Sequence, residues 1–375
     1  AAGQRSVRRA VLEWRSKISL VRRLPNVRVP CNGGCPGSGC SARRRNMLCL
    51  LLLTTQLAAA LNEKEIDRVS EKWDKAAPPS TGAWYTHKLV VKTFSERLAA
   101  GSPNWVEHLK ERYGARRKCL SIGCGDGGVE LDMVRAGFCN QMLGIDLSPV
   151  RVGKANANVP LHLRERLEFT VTNGETELHG KNFDMVLFSH SLHHIDDLES
   201  MARAVQRRIM SDDGVLVLQE YVGPVRWQFS EQQLYLMHSI LLHMTQKYPD
   251  RAGMLRKCAV LWDGKRFKPP DADAVKADDP SETVRSNMIV PVLLNHFNLI
   301  ENVQLGGNFF QWLLYGCYSA LEDEAGNAIV KEMLEYEMFL VDEGILTSDY
   351  VFQVWNKTGT LARRNIKGGG RRWPN

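Results

Sequence analysis

From Lys118 to Val222, short apolar runs alternate with segments of helical periodicity, and that alternation leaves few folds open. KCLSIG (118–123), QMLGID (141–146), RLEFTVT (166–172), FDMVLFS (183–189) and GVLVLQEYV (214–222) read as strands. FDMVLFS is apolar almost throughout, as suits a parallel strand covered on both faces. Between the strands lie VELDMVRAG (129–137), stopped by Gly137, a helix capped by Ser148–Pro149, and LESMARAVQRRIM (198–210). The pattern predicts an α/β fold, a doubly wound parallel sheet with right-handed crossovers and ligands at the carboxyl ends of the strands.

On the amino side, Asn62 caps a helix carrying Ile66, Val69 and Trp73, which Pro78, Pro79 and Gly82 end. Ser102 followed by Pro103 opens another, WVEHLKERY. On the carboxyl side, 230–262 reads as helical, 263–281 as polar and 281–297 as helical up to a break at Pro291. NLIENVQL (298–305) resumes strand character, helices follow near 308–320 and 322–343, and SDYVFQVWNKT (348–358) is a last strand. Residues 223–296 are far longer than the roughly 2–6 residues of an ordinary connection, so they are expected to form a helical lid over the strand ends.

Charge separates the amino terminus from the rest. Residues 1–46 hold eleven Arg/Lys and the single acid Glu13, a net of +10 against +7 for the whole chain, so the remainder is mildly acidic at −3. A mildly acidic body carries no nucleic-acid footprint. No apolar run reaches the roughly 18 residues of a membrane span. Residues 1–60 read as a basic tail with a candidate targeting segment, in which RRRN precedes MLCLLLLTTQLAAA as in a signal peptide. The location expected is cytoplasmic or organellar, with a secretory route if 43–60 acts as a signal. Residues 61–358 are expected to form the main domain and 359–375 a disordered tail. Cys31, Cys35 and Cys40 lack a well-spaced fourth zinc ligand, and no metal is expected. Cys119, Cys124, Cys139, Cys258 and Cys317 show no paired spacing and are expected as free thiols.

SIGCGDGG (121–128) joins the first strand to a helix and lets a ligand approach bare backbone. Gly123, Gly125 and Gly128 satisfy a dinucleotide fingerprint, while Gly123, Gly125 and Gly127 satisfy an S-adenosylmethionine pattern. Asp126 in the turn would repel a pyrophosphate but tolerates the ammonium and sulfonium of S-adenosylmethionine. Asp146 ends the second strand, where an acid accepts from ribose hydroxyls. Leu147 is suited to the adenine face, and Asn173–Gly174 either reads the adenine amino group or forms a turn. Cys124 and Ser189 complete the candidate cofactor wall, with Trp84 closing over it. A nicotinamide oxidoreductase and a non-catalytic binding module remain as alternatives.

IGCGDG, GIDLS, FDMVLFSHSLHHI, DDGVLVLQEYVGP and SDYVFQVWNK together resemble a class I S-adenosylmethionine-dependent methyltransferase of the small-molecule type, over roughly 62–358. In detail the chain resembles a subgroup with E-Y-V-G-P-x-R-x-Q after strand five (Glu220 to Gln228), D-P-S-E-x-x-R-S (Asp279 to Ser286) and a Gly306–Gly307 turn. The resemblance implies a Rossmann-like seven-stranded sheet with its last strand antiparallel, and one bound S-adenosylmethionine. Ser121 departs from it, standing where an acid is commonest. That weakens the contact expected to the methionine ammonium unless Asp126 or a carbonyl supplies it. Asn173 stands where Asp is common.

On the acceptor side, His190 and His193 follow strand four as candidate bases, with Tyr221 beside them. Glu220, Arg226 and Arg285 are candidates for binding a small-molecule, sugar or lipid-like acceptor, methylated at oxygen or nitrogen. Residues 1–60 are predicted to be dispensable: deleting them should leave the melting temperature of the remainder within a few degrees. A larger loss would make them part of the core.

Overall fold

A computed structural model of the chain describes residues 63–75, 87–98, 104–172, 178 and 180–357. Every described residue lies within the unit 58–375. The basic tail, the apolar run, Asn62, the 76–86 break with Trp84, Ser102–Pro103, Asn173–Gly174 and the carboxyl tail lie outside the described residues.

Seven strands form one sheet: β1 (Arg116–Ile122), β2 (Cys139–Asp146), β3 (Leu167–Val171), β4 (Phe183–Ser189), β5 (Met210–Tyr221), β6 (Phe297–Gly306) and β7 (Tyr350–Lys357). Their order is β3-β2-β1-β4-β5-β7-β6. β1 to β5 are parallel, and β7 runs antiparallel between β5 and β6. The order reverses where β1 lies between β2 and β4, which places the ligand crevice at the carboxyl ends of those strands.

Helices α1 (Glu63–Lys75), α2 (Lys88–Leu98), α3 (Trp105–Tyr113), α4 (Gly128–Arg135), α5 (Pro149–Asn158) and α6 (Leu198–Ala204) precede the insertion. Helices α7 (Glu231–Lys247), α8 (Ala252–Cys258), α9 (Ala272–Asp278) and α10 (Ile289–Leu294) lie within it, and α11 (Phe310–Leu314) and α12 (Glu324–Asp342) follow β6. Strand side chains alternate between two cores. Cys119, Met185, Val217 and Val354 join Met133 of α4 and Val152 of α5 on one face. Leu120, Val186, Leu218 and Trp355 join Leu198 of α6 and Ile289 of α10 on the other.

Local chemistry sets the helix ends. Ser148 Oγ accepts from Arg151 N (3.1 Å) with Pro149 next in line, as expected of the cap. α3 is capped by Asn104, whose side chain accepts from Val106 N (3.0 Å) and Glu107 N (3.1 Å). Three expectations change. The helix over 281–297 contracts to Ile289–Leu294, because 279–286 is a polar turn held by side-chain bonds. The helix over 198–210 gives way after Ala204 to a widened turn, Val205–Ile209. The free thiols are replaced by disulfides Cys119–Cys139 and Cys258–Cys317, with Cα atoms 6.0 and 5.4 Å apart. Adjacent strands β1 and β2 bring the first pair together across 20 residues of sequence, which spacing alone does not reveal. Cys124 remains free.

Behind the sheet end, buried Glu337 of α12 accepts from four backbone N–H groups: Gly307, Asn308 (3.1 Å), Phe309 (3.1 Å) and Phe310 (2.7 Å). Glu337→Ala would strand these donors, and each unsatisfied buried group costs ~1–3 kcal/mol. A fall in urea-unfolding stability of at least ~3 kcal/mol is expected. A change near zero would mean that water replaces the carboxylate.

Candidate cofactor and acceptor site

The turn after β1 is locked to β2, since Gly123 N and Cys124 N both donate to Ile145 O (2.8 and 3.0 Å). Asp146 follows Ile145. Its Oδ2 accepts from Gly125 N (2.8 Å) and its Oδ1 from Ser148 N (2.9 Å). A carboxylate has about four acceptor positions, so capacity remains on both oxygens for a vicinal diol. At Gly125, with φ of 54°, the nearest atom to an added Cβ is Arg151 Nη1 at 3.6 Å, so this face of the backbone is open. At Gly127, with φ of 77°, a Cβ would lie 2.4 Å from the Phe169 ring, so the turn closes tightly on β3. Leu147 is half-buried, and its carbonyl accepts from Ser70 Oγ (3.2 Å) of α1.

Asp126 is answered inside the protein. Arg151 Nη1 lies 3.4 Å from it, while the same guanidinium stacks over Trp73 at 4.9 Å and its Nε donates to Trp73 O (3.2 Å). The acid in the turn therefore already has a cation beside it within the protein. Below the turn, Ser121 Oγ donates to Glu130 Oε1 (2.5 Å). Sequence reasoning missed Glu130, whose signal was an acid in the first turn of α4 facing the departure at Ser121.

At the acceptor side, Glu220 is wholly buried, at 0% exposure. Its Oε2 accepts from Ser191 N (2.8 Å) and Leu192 N (2.6 Å), its Oε1 from Tyr221 N (2.7 Å), and Oε1 also pairs with His193 Nδ1. Burial opposes the carboxylate, but the His193 charge and these hydrogen bonds outweigh it and hold Glu220 below its usual range. Burial likewise opposes a charged His193, yet Glu220, with Glu282 and Asp279 behind it, raises the imidazole to about 9. His190 differs. Burial lowers it to about 4, so it is neutral near pH 7. It sits at φ of 54°, its N donates to Gln219 O (2.8 Å), and its ring centroid is 5.6 Å from that of Tyr350. Ser189 is half-buried just before it.

His193 Nε2 lies 3.7 Å from Glu282 Oε1, and His194 Nδ1 lies 2.9 Å from Ser281 Oγ. Among the described residues, His193, His194 and Glu282 form the one group whose potential metal-ligand atoms converge within 4.8 Å. Protein partners already engage an Nδ1 on each imidazole.

The other acceptor candidates are turned inward. Tyr221 is buried, its hydroxyl donating to Pro224 O (3.1 Å) and its ring 5.2 Å from that of Tyr350. Arg226 donates to three backbone carbonyls, those of Asp279 (3.0 Å), Pro280 (2.5 Å) and Glu282 (2.5 Å). Arg285 makes a two-pronged pair with Glu199 (2.6 and 2.7 Å) and reaches Asp196 O (2.8 Å). Both arginines are therefore engaged by the protein: outside a regular helix the 279–286 carbonyls need donors, and Arg226 supplies them. Sequence reasoning also missed Lys72 of α1, which pairs with Asp278 (2.6 Å) and Asp279 (3.5 Å). α1 thus ties the acceptor side to the cofactor side, where Ser148 Oγ donates to Asp74 (2.5 Å).

The family described as "Methyltransferase domain" matches residues 62–256, just over half of the chain. The chain belongs to this methyltransferase family. The methyltransferase also resembles solved structures at the level of fold. Geranyl diphosphate C-methyltransferase from Streptomyces coelicolor A3(2) shares 12% identity, with 80% of this chain and 99% of that one covered and a TM-score of 0.47. The [4+2]-cyclase SpnF shares 14%, covering 68% and 79%, with a TM-score of 0.40. An S-adenosylmethionine-dependent methyltransferase from Mesorhizobium loti shares 15%, covering 68% and 96%, with a TM-score of 0.38. No curated protein matches the chain. The methyltransferase uses S-adenosylmethionine, and the nicotinamide alternative falls away. Among the described residues, no helix is long and apolar enough to cross a membrane.

The site fits this cofactor, with bare backbone at Gly125 and acceptor capacity on Asp146. Calorimetry on the full chain should give one S-adenosylmethionine site, weakened by ~1–3 kcal/mol in Asp146→Ala through loss of a charged acceptor. Unchanged affinity would remove Asp146 from the site.

Proposed function

We propose that this methyltransferase transfers the methyl group to an oxygen or nitrogen of a small-molecule acceptor, held at the ends of β4 and β5 beneath the 223–296 segment. One observation carries the reading: two imidazoles stand on the turn where β4 ends, His190 against the Tyr350 ring and His193 held by Glu220, and these surroundings push their charge states apart. When bound, S-adenosylmethionine supplies an activated methyl carbon for direct displacement. The protein has to align the acceptor, which is worth up to ~7–11 kcal/mol, and to take a proton if the acceptor atom bears one.

His190 takes that proton, because burial keeps it unprotonated. The charge of His193 steadies the negative charge that develops on the acceptor. Tyr221 is a positioning residue that seats Tyr350 and, through it, the His190 ring. Arg226 and Arg285 fasten the 279–286 turn so that Glu282 faces His193. Glu282 then borders the acceptor. On the cofactor side, Leu147, Asn173 and Gly174 are assigned to the adenine, Cys124 and Asp126 to the turn along its amino-acid end, and Ser189 and Trp84 to the methyl donor.

An acceptor screen over sugars, lipids and small metabolites, read by S-adenosylhomocysteine release, provides the substrate for the test. His190→Ala should lower kcat by ~10²–10⁴-fold while leaving cofactor affinity unchanged. The rate requires neutral His190, which persists above about pH 4, and charged His193, which is lost as pH rises through about 9. A rate that continues to rise beyond pH 9, or a His190 variant with full kcat, would overturn these roles.

A further inference from the structure

Three carboxylates surround the glycine turn, and all three act on the free thiol of Cys124, whose ionisation burial and their charge together oppose. Two have evident duties. Asp126 faces Arg151, and Asp146 accepts from Gly125 N and Ser148 N at the mouth of the turn. The third, Glu130, is 1% exposed in the first turn of α4. Ser121 Oγ donates to its Oε1, but its Oε2 is buried without a hydrogen-bond partner, and no cation pairs with it among the described residues. A buried, half-satisfied carboxyl is costly, and such groups are retained where something completes them. Burial raises Glu130 to about 7.

The cofactor carries a positive α-ammonium at its methionine end, and a cofactor held at the ribose by Asp146 would bring that end to the glycine turn. On the reading that the site binds S-adenosylmethionine, we propose that Glu130 is the counter-ion of this ammonium and that Ser121 holds its carboxylate in place. Binding then draws Glu130 fully into the ionised form, and the proton it carried passes to the solvent. Below neutral pH the ligand must expel that proton, so affinity falls as pH is lowered. Above it the carboxylate is already charged and affinity levels off.

The test is calorimetry on the full chain with two ligands. S-adenosylhomocysteine carries the ammonium; 5′-methylthioadenosine has the adenosine but no amino-acid end. Glu130→Gln should weaken S-adenosylhomocysteine at least tenfold and leave 5′-methylthioadenosine within twofold. Wild-type binding of S-adenosylhomocysteine near pH 7 should release protons, seen as an enthalpy that varies with buffer ionisation, and the variant should not. The double variant Ser121→Asp with Glu130→Ala moves the carboxylate onto β1 and should restore affinity. Unchanged S-adenosylhomocysteine binding in Glu130→Gln overturns the proposal. So does equal loss of both ligands, which would make Glu130 a support of the turn. A wild-type chain that binds neither ligand fails the cofactor reading itself, and the proposal with it.

Discussion

A single buried carboxylate organises the turn after β4 in this methyltransferase. Glu220 collects N–H groups from the turn after β4 and from the end of its own strand, and takes His193 as its counter-charge. A bare carboxylate in that position would be prohibitively expensive. Satisfied in this way, it fixes the exit of β4, the exit of β5 and one imidazole orientation together. The turn so held brings Ser191 against the glycine loop after β1, where Ser191 Oγ donates to Ile122 O (2.6 Å) and its Cβ leaves no room for one at Gly123 (2.5 Å). The two halves of the site are thus joined through a few polar contacts at the point where the strand order reverses.

The insertion answers to the same centre. Its 279–286 turn has few regular backbone partners, so Arg226 reaches back to three of its carbonyls and Val284 N donates to His193 O (3.2 Å). The guanidinium acts as a backbone substitute. Such use of arginine is invisible in a linear motif, where a conspicuous Arg beside a strand end reads as a ligand-binding group. Arg285, paired with Glu199 of α6, anchors the other edge of the turn.

Charge states in the site follow from position more than from residue type. His190 and His193 are three residues apart, yet one is driven neutral by burial and the other is kept charged by a carboxylate on Nδ1 and further acids behind it. Asp126 and Glu130 are four residues apart, yet one is paired and the other is half-satisfied.

The sequence by itself determined the architecture and the glycine turn after β1. Period-two and period-3.6 patterning, Ser148–Pro149, Gly137 and the glycines after β1 are local signals, and local signals act within a few residues of chain. Hence the five parallel strands, the helical character of 223–296 and Asp146 at the end of β2 were legible in advance. What only the tertiary structure decided are relations between distant segments: the Cys119–Cys139 and Cys258–Cys317 bonds, Arg226 on 279–282, Arg285 on Glu199, Lys72 on Asp279 and Glu130 under Ser121. Each depends on which strands become neighbours and which side chain reaches a buried polar group first. Neither is encoded in the spacing of any one segment, so the cysteines read as free thiols and the arginines as unpartnered until the sheet brought their partners to them.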